Sequence, residues 1–137
     1  MLELPYSNYR DWMSEEIYNI CYRSSLIPII AHLDRYVDKL KREQINELLS
    51  IDNVVVQINN SALNYRSNVK FVLELIREGH SVIFGSDSHN LKDRSPDFNI
   101  SNKVLTSKLK RNELLSFTNT QENILSIAKP HMFKYMV

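Results

Sequence analysis

Short, continuously apolar runs alternate along this chain with longer stretches whose apolar residues recur at helical spacing, and that alternation restricts the fold more than any other feature. A run apolar on both faces suits a parallel strand covered by helices, and the periodic stretches supply those helices. The pattern predicts a first strand at 2–5, then a helix over 10–24 with Met13, Ile17, Ile20 and Cys21 on its apolar face. It predicts a second strand at 27–31, a helix over 37–50 carrying Val37, Leu40, Ile45, Leu48 and Leu49 inward, and a third strand at 54–58. The third helix, over 65–78, has the stripe Val69, Val72, Leu73 and Ile76 and ends at Gly79, a residue suited to a left-handed cap. A fourth strand at 81–84 precedes a polar loop over 85–96. Two or three short helices are expected from residue 100 on, with Thr120 capping the last.

At 137 residues and 43% hydrophobic, the chain has the size of one domain with a core of its own. Its 17 basic and 16 acidic residues are spread along the whole length, which argues against a nucleic-acid stripe or a polybasic membrane patch. No apolar run approaches the ~20 residues a spanning helix needs, so no membrane insertion is expected. One cysteine allows no internal disulfide, and no signal-peptide pattern opens the chain; the reading is a soluble protein of a reducing cytoplasm. The two glycines, Gly79 and Gly85, are too few for any glycine-rich phosphate loop. Nor does Cys21 suit a cysteine-dependent phosphatase, which needs an arginine six positions on, where this chain has Ile27. Cys21 reads instead as a small apolar filler.

In a parallel α/β fold, sites are built where loops converge at the carboxyl ends of the strands. Two such loops join imidazole to carboxylate: Ala31-His32-Leu33-Asp34-Arg35-Tyr36 and Gly85-Ser86-Asp87-Ser88-His89-Asn90. Asp87 and His89, two apart in an extended segment, project to one side, and Glu3 on the first strand adds a carboxylate beside them. Read from the residues alone, Arg35 is a surface partner of Asp34 and Arg94 a solvated loop charge. His80 reads as a solvated turn residue and His131 as a tail residue without a partner at ligand spacing. Trp12, with Tyr6 and Tyr9, staples the entry of the first helix.

The blocks LELPYSNYRDWM, IIAHLDRY, VVVQINNSAL and VIFGSDSHNLKDRSPD together resemble the PHP-type (polymerase and histidinol phosphatase) protein tyrosine phosphatases of bacterial capsule and exopolysaccharide operons. The resemblance covers residues 1–128 as a partial phosphatase domain and leaves 129–137 as a tail. It implies the C-terminal portion of a distorted (β/α)7 barrel, about four βα units plus C-terminal helices. It also implies up to three divalent metals, usually manganese, with Glu3, His32, Asp87 and His89 as ligands and Arg35 and Arg94 taking phosphate oxygens. The implied reaction is hydrolysis of phosphotyrosine on a capsule tyrosine kinase. The alternatives are a non-catalytic remnant that binds the kinase and a phosphoesterase for another small phosphomonoester.

The chain departs from that family in three ways. The opening His-x-His strand of the family is missing, Leu33 replaces a proline, and Asp34 replaces a glutamate. Four units also leave an open edge and an open inner face, for which a second copy or a separate N-terminal half is the expected cover. The expectation is a fragment of a longer product or of a disrupted gene in preference to a working dimer.

Overall fold

The computed structural model describes residues 1–132 apart from 6, 25, 93–95 and 97, with 128–132 described as helical backbone only. The order is α1 (Trp12–Ser24), β1 (Ile29–Ile30), α2 (Arg42–Leu49), β2 (Val55–Asn59), α3 (Arg66–Arg77), β3 (Ser81–Gly85), α4 (Asn99–Lys108) and α5 (Arg111–Met132). Short 3-10 turns at Leu33–Arg35 and Asn60–Asn64 follow β1 and β2. The strands form a parallel sheet in the order β1-β2-β3, with Ile30 opposite Val56 and Val56 opposite Val82. The strand expected at 2–5 contracts to a single parallel bridge, in which the Leu2 amide donates to the Ile29 carbonyl and the Ala31 amide donates to the Leu2 carbonyl. Among the described residues the architecture is mixed α/β: five helices and a small parallel sheet whose segments stand side by side in chain order.

The core lies where the sheet meets the helices. Ile30, Leu33, Ile58 and Val82 are fully enclosed, joined by Tyr36, Leu48, Val72 and Leu75, and burying each such aliphatic side chain is worth about 1.5–3 kcal/mol. Of the predicted face of α1, Ile17 is buried and Cys21 packs against the core, its thiol pKa raised by burial as befits a filler, while Met13 and Ile20 are half-buried and Ser14 is enclosed beside Ile17. Trp12 instead is 57% exposed, whereas Tyr9 is more enclosed, its hydroxyl 2.6 Å from Ser14 Oγ. Tyr6 lies outside the described residues.

The second helix begins five residues later than its periodicity suggests. Tyr36 turns into the core and its hydroxyl donates to the Leu4 carbonyl at 2.6 Å. Its own carbonyl accepts the amides of Lys39 and Leu40, so the chain completes a turn before α2 starts. The Gln44 side chain then accepts the Lys41 amide at 3.1 Å, satisfying a donor at the helix start.

At the other end of the fold, α3 closes as expected. Gly79 has φ 85°, its amide bonds to the Ile76 carbonyl, and the His80 amide bonds to that of Leu75; this paired pattern uses up carbonyls the helix would otherwise leave open. His80 is not simply solvated: it is half-buried and stands 3.5 Å from Glu78.

Past residue 98 there are two helices, one of them long. Leu73, Leu105 and Leu109 form a second cluster with Leu114 and Phe117, fixing α4 and α5 against α3. Phe117 meets Phe84 of β3 edge-on, and Gln121 donates to the Val82 carbonyl. Thr120 therefore caps nothing; it sits inside α5 with its hydroxyl donating back to the Ser116 carbonyl at 3.1 Å. Among the described residues no helix is long and apolar enough to cross a membrane.

Candidate metal-binding site

Three segments at the carboxyl ends of neighbouring strands bring the predicted residues together. Glu3 lies between the Leu2 bridge and the Leu4 carbonyl that Tyr36 holds, so its backbone is anchored although its side chain is 70% exposed. His32 follows β1 in the left-handed region, at φ 52°, and its ring is only 12% exposed. Asp87 follows β3, also left-handed at φ 49° and nearly buried, while His89 beyond it is open to solvent. Two non-glycine residues at positive φ flanking one site are a local cost that the surrounding contacts must sustain.

These side chains form a row. Glu3 Oε1 is 3.2 Å from His32 Nε2, His32 Nε2 is 3.8 Å from Asp87 Oδ1, and Asp87 Oδ1 is 3.2 Å from His89 Nε2. Arg35 caps the row, its guanidinium donating to Asp87 Oδ2. Arg35 thus reaches across to the β3 loop, and the carboxylate of Asp34 is engaged elsewhere. It accepts the Asn59 backbone amide at 2.8 Å and the Asn59 side-chain amide at 3.4 Å. Burial pushes the Asp34 carboxyl pKa up, against the lowering pull of the backbone amides of Asn59 and Asp34 and of the nearby Arg35 and His32. Arg94 lies outside the described residues, as does the side chain of His131.

Behind His32 stands a layer the sequence reading missed. Gln57 and Asn59, both 4% exposed, sit two apart on one face of β2. Gln57 Oε1 accepts the His32 backbone amide at 2.8 Å, Gln57 Nε2 donates to Asn59 Oδ1 at 3.2 Å, and His32 Nδ1 lies 2.9 Å from that same oxygen. Two amides at i and i+2 within an otherwise apolar, fully buried strand were the available signal. Gly85, across from Asn59 on β3, leaves room for Gln57, since a Cβ there would stand 2.6 Å from Nε2. Next along the chain, buried Asn60 has an amide with no hydrogen-bond partner among the described residues.

Two imidazoles and two carboxylates suit a divalent cation of borderline hardness. Donors sharing one such ion at bonds of about 2.1 Å stand about 3.0–3.5 Å apart, which the Glu3–His32 and Asp87–His89 pairs match and the central pair slightly exceeds. The residues therefore fit a divalent ion in donor type and, for the Glu3–His32 and Asp87–His89 pairs, in spacing. They meet in successive pairs, however, and among the described residues no three or more such side chains already stand as a ready cage.

Comparison with known proteins identifies the family and the fold. Residues 1–126 match the profile of the capsular polysaccharide synthesis family CpsB/CapC, and the chain belongs to that family. No curated protein matches the sequence. Among solved structures, the chain is similar to one from the crystal structures of YwqE from Bacillus subtilis and CpsB from Streptococcus pneumoniae, described as metal-dependent tyrosine phosphatases. The TM-score is 0.64 at 18% identity, over 88% of this chain and 50% of that one. The fold is shared, and the present chain spans half the length of the solved one.

Proposed function

We propose that this chain carries the C-terminal ligand set of a metal-dependent phosphotyrosine phosphatase. The observation that carries this reading is the meeting of Glu3, His32, Asp87 and His89, contributed by three separate segments, with Arg35 beside them. Family membership and the shared fold support it. Parallel segments standing in chain order are taken as an arc of a PHP barrel, with 1–128 as its domain portion and 129–137 as a tail. Manganese is the proposed ion, cytoplasmic capsule tyrosine kinase tails are the proposed substrate, and the family's opening His-x-His ligands are proposed to come from a completing segment or a second copy.

A divalent cation in this site supplies an acidified water at neutral pH and positive charge toward the phosphoryl oxygens. Glu3, His32, Asp87 and His89 are the side chains that would hold it. Arg35, a planar fork already aimed into the site by Asp87, binds a phosphate oxygen and stabilises the charge that builds up as the ester bond breaks. Arg94 is proposed as a second such group. The anchored Leu4 segment and the buried amides of β2 keep these groups from rearranging during turnover.

The test is metal content per chain by elemental analysis after dialysis against manganese, with Asp87→Ala as control, followed by hydrolysis of an aryl phosphate. Stoichiometric manganese that the substitution abolishes, with metal-dependent turnover, is expected. Kinase binding without metal or turnover, unaffected by Asp87→Ala, would establish a non-catalytic binding role instead.

A further inference from the structure

We infer that Gln57, Asn59 and Asp34 form a relay that sets the tautomer of His32, placing the proton on Nδ1 and leaving Nε2, the nitrogen beside Glu3 and Asp87, to take a cation. The relay starts from a group whose role is unambiguous. A backbone N–H can only donate, so the amide of His32 requires that the Gln57 atom 2.8 Å away be the oxygen. That choice turns the Gln57 NH2 toward Asn59, and an NH2 can only donate, so the Asn59 atom 3.2 Å away is its oxygen. The Asn59 NH2 consequently faces Asp34, whose ionised carboxylate can only accept, and the Asn59 backbone amide donates to the same carboxylate.

With the orientation of Asn59 determined from both sides, its oxygen is what His32 Nδ1 meets at 2.9 Å. An amide oxygen offers no proton, so Nδ1 must supply it, and in the neutral ring Nε2 is left with its lone pair. That nitrogen is the one 3.2 Å from Glu3 and 3.8 Å from Asp87. The three relay residues touch nothing that reacts; they act through His32 and are positioning residues.

The metal-affinity arm of the test rests on the function proposed above; the tautomer arm does not. In protein labelled with 15N-histidine and free of metal, at about pH 8.5, above the ordinary imidazole range, the His32 ring is expected to show a protonated Nδ1. Asn59→Leu, close in shape but lacking the acceptor, is expected to move that proton to Nε2 and to weaken manganese binding, read by calorimetry, by about 10–100-fold. Asn59→Asp alone sets two carboxylates against each other and is expected to weaken binding too. Adding Asp34→Asn restores the side-chain contact between positions 59 and 34 with its donor reversed, while the backbone amide of residue 59 still donates to residue 34, and affinity should return. Because that double variant keeps the hydrogen bonds, it decides the matter even if Asn59→Leu does not fold. A bare Nδ1 in the parent protein, or a double variant no better than Asn59→Asp, overturns the relay. If the parent binds no manganese yet loses its Nδ1 proton in Asn59→Leu, the relay stands and the metal reading falls.

Discussion

Gly85 shows how one side chain's absence shapes the site. Its backbone is ordinary, so the demand is for space: a methyl group would meet Gln57 Nε2 at 2.6 Å and Cδ at 3.2 Å. Gln57 cannot swing away freely, because it holds the His32 amide at one end and Asn59 at the other. Gly85→Ala is therefore expected to cost about 1–3 kcal/mol by overpacking, seen as a lower urea midpoint, and to reduce manganese uptake with it. Unchanged stability would mean that Gln57 has another place to go. The Gly85-Ser86-Asp87 block was legible as a loop motif in the sequence, but the reason for its glycine was not, since Gln57 is 28 positions away.

The elements depend on how their ends are closed. At Gly79 a Cβ would meet nothing within 4 Å, and the requirement is the positive φ alone. Gly79→Ala should thus cost about 1 kcal/mol, confined to backbone strain, with unaltered metal binding. At the start of α5, Glu113 accepts the Lys110 amide at 2.7 Å and pairs with Arg77 of α3 at 3.1 Å. The amide bond foremost, then Arg77, lowers its pKa from the usual glutamate value. A lowered folded-state pKa contributes stability that is present above the unfolded value, about 4.3, and lost as pH falls through the folded one. Urea unfolding from about pH 5 down to pH 3 should therefore show a steeper loss for the parent than for Glu113→Gln, and parallel curves would mean the contact contributes nothing. The Gly79 cap could be read from a lone glycine after a periodic stripe. The Glu113 contact could not, because it needs α3 and α5 side by side, and the same packing carries a single helix through Thr120.

At the scale of the molecule, the donors come from segments separated by up to 86 positions, Glu3 to His89, and only the closed fold holds them near one another. An ion that binds this arrangement and not the unfolded chain stabilises the whole domain, by about 2.7 kcal/mol at a hundredfold excess over its Kd. For a chain of this size that is a rise in Tm on the order of 10 °C. Manganese should produce that rise in the parent and none in Asp87→Ala; a rise in both would place the ion elsewhere.

What the sequence determined by itself was the alternation of elements and the residue types at the strand ends, because both are local. Burial on two faces shows as an apolar run, helical packing shows as period, and imidazole beside carboxylate in a loop shows as His32-Leu33-Asp34 and Asp87-Ser88-His89. Only the tertiary structure decided which of these groups meet. It reduced the first strand to one bridge, took Arg35 from its neighbour Asp34 to Asp87, and put Gln57 and Asn59 behind His32. Such partnerships arise from strand register and from hydrogen bonds that buried polar groups must complete, and neither is encoded within the few residues around each group.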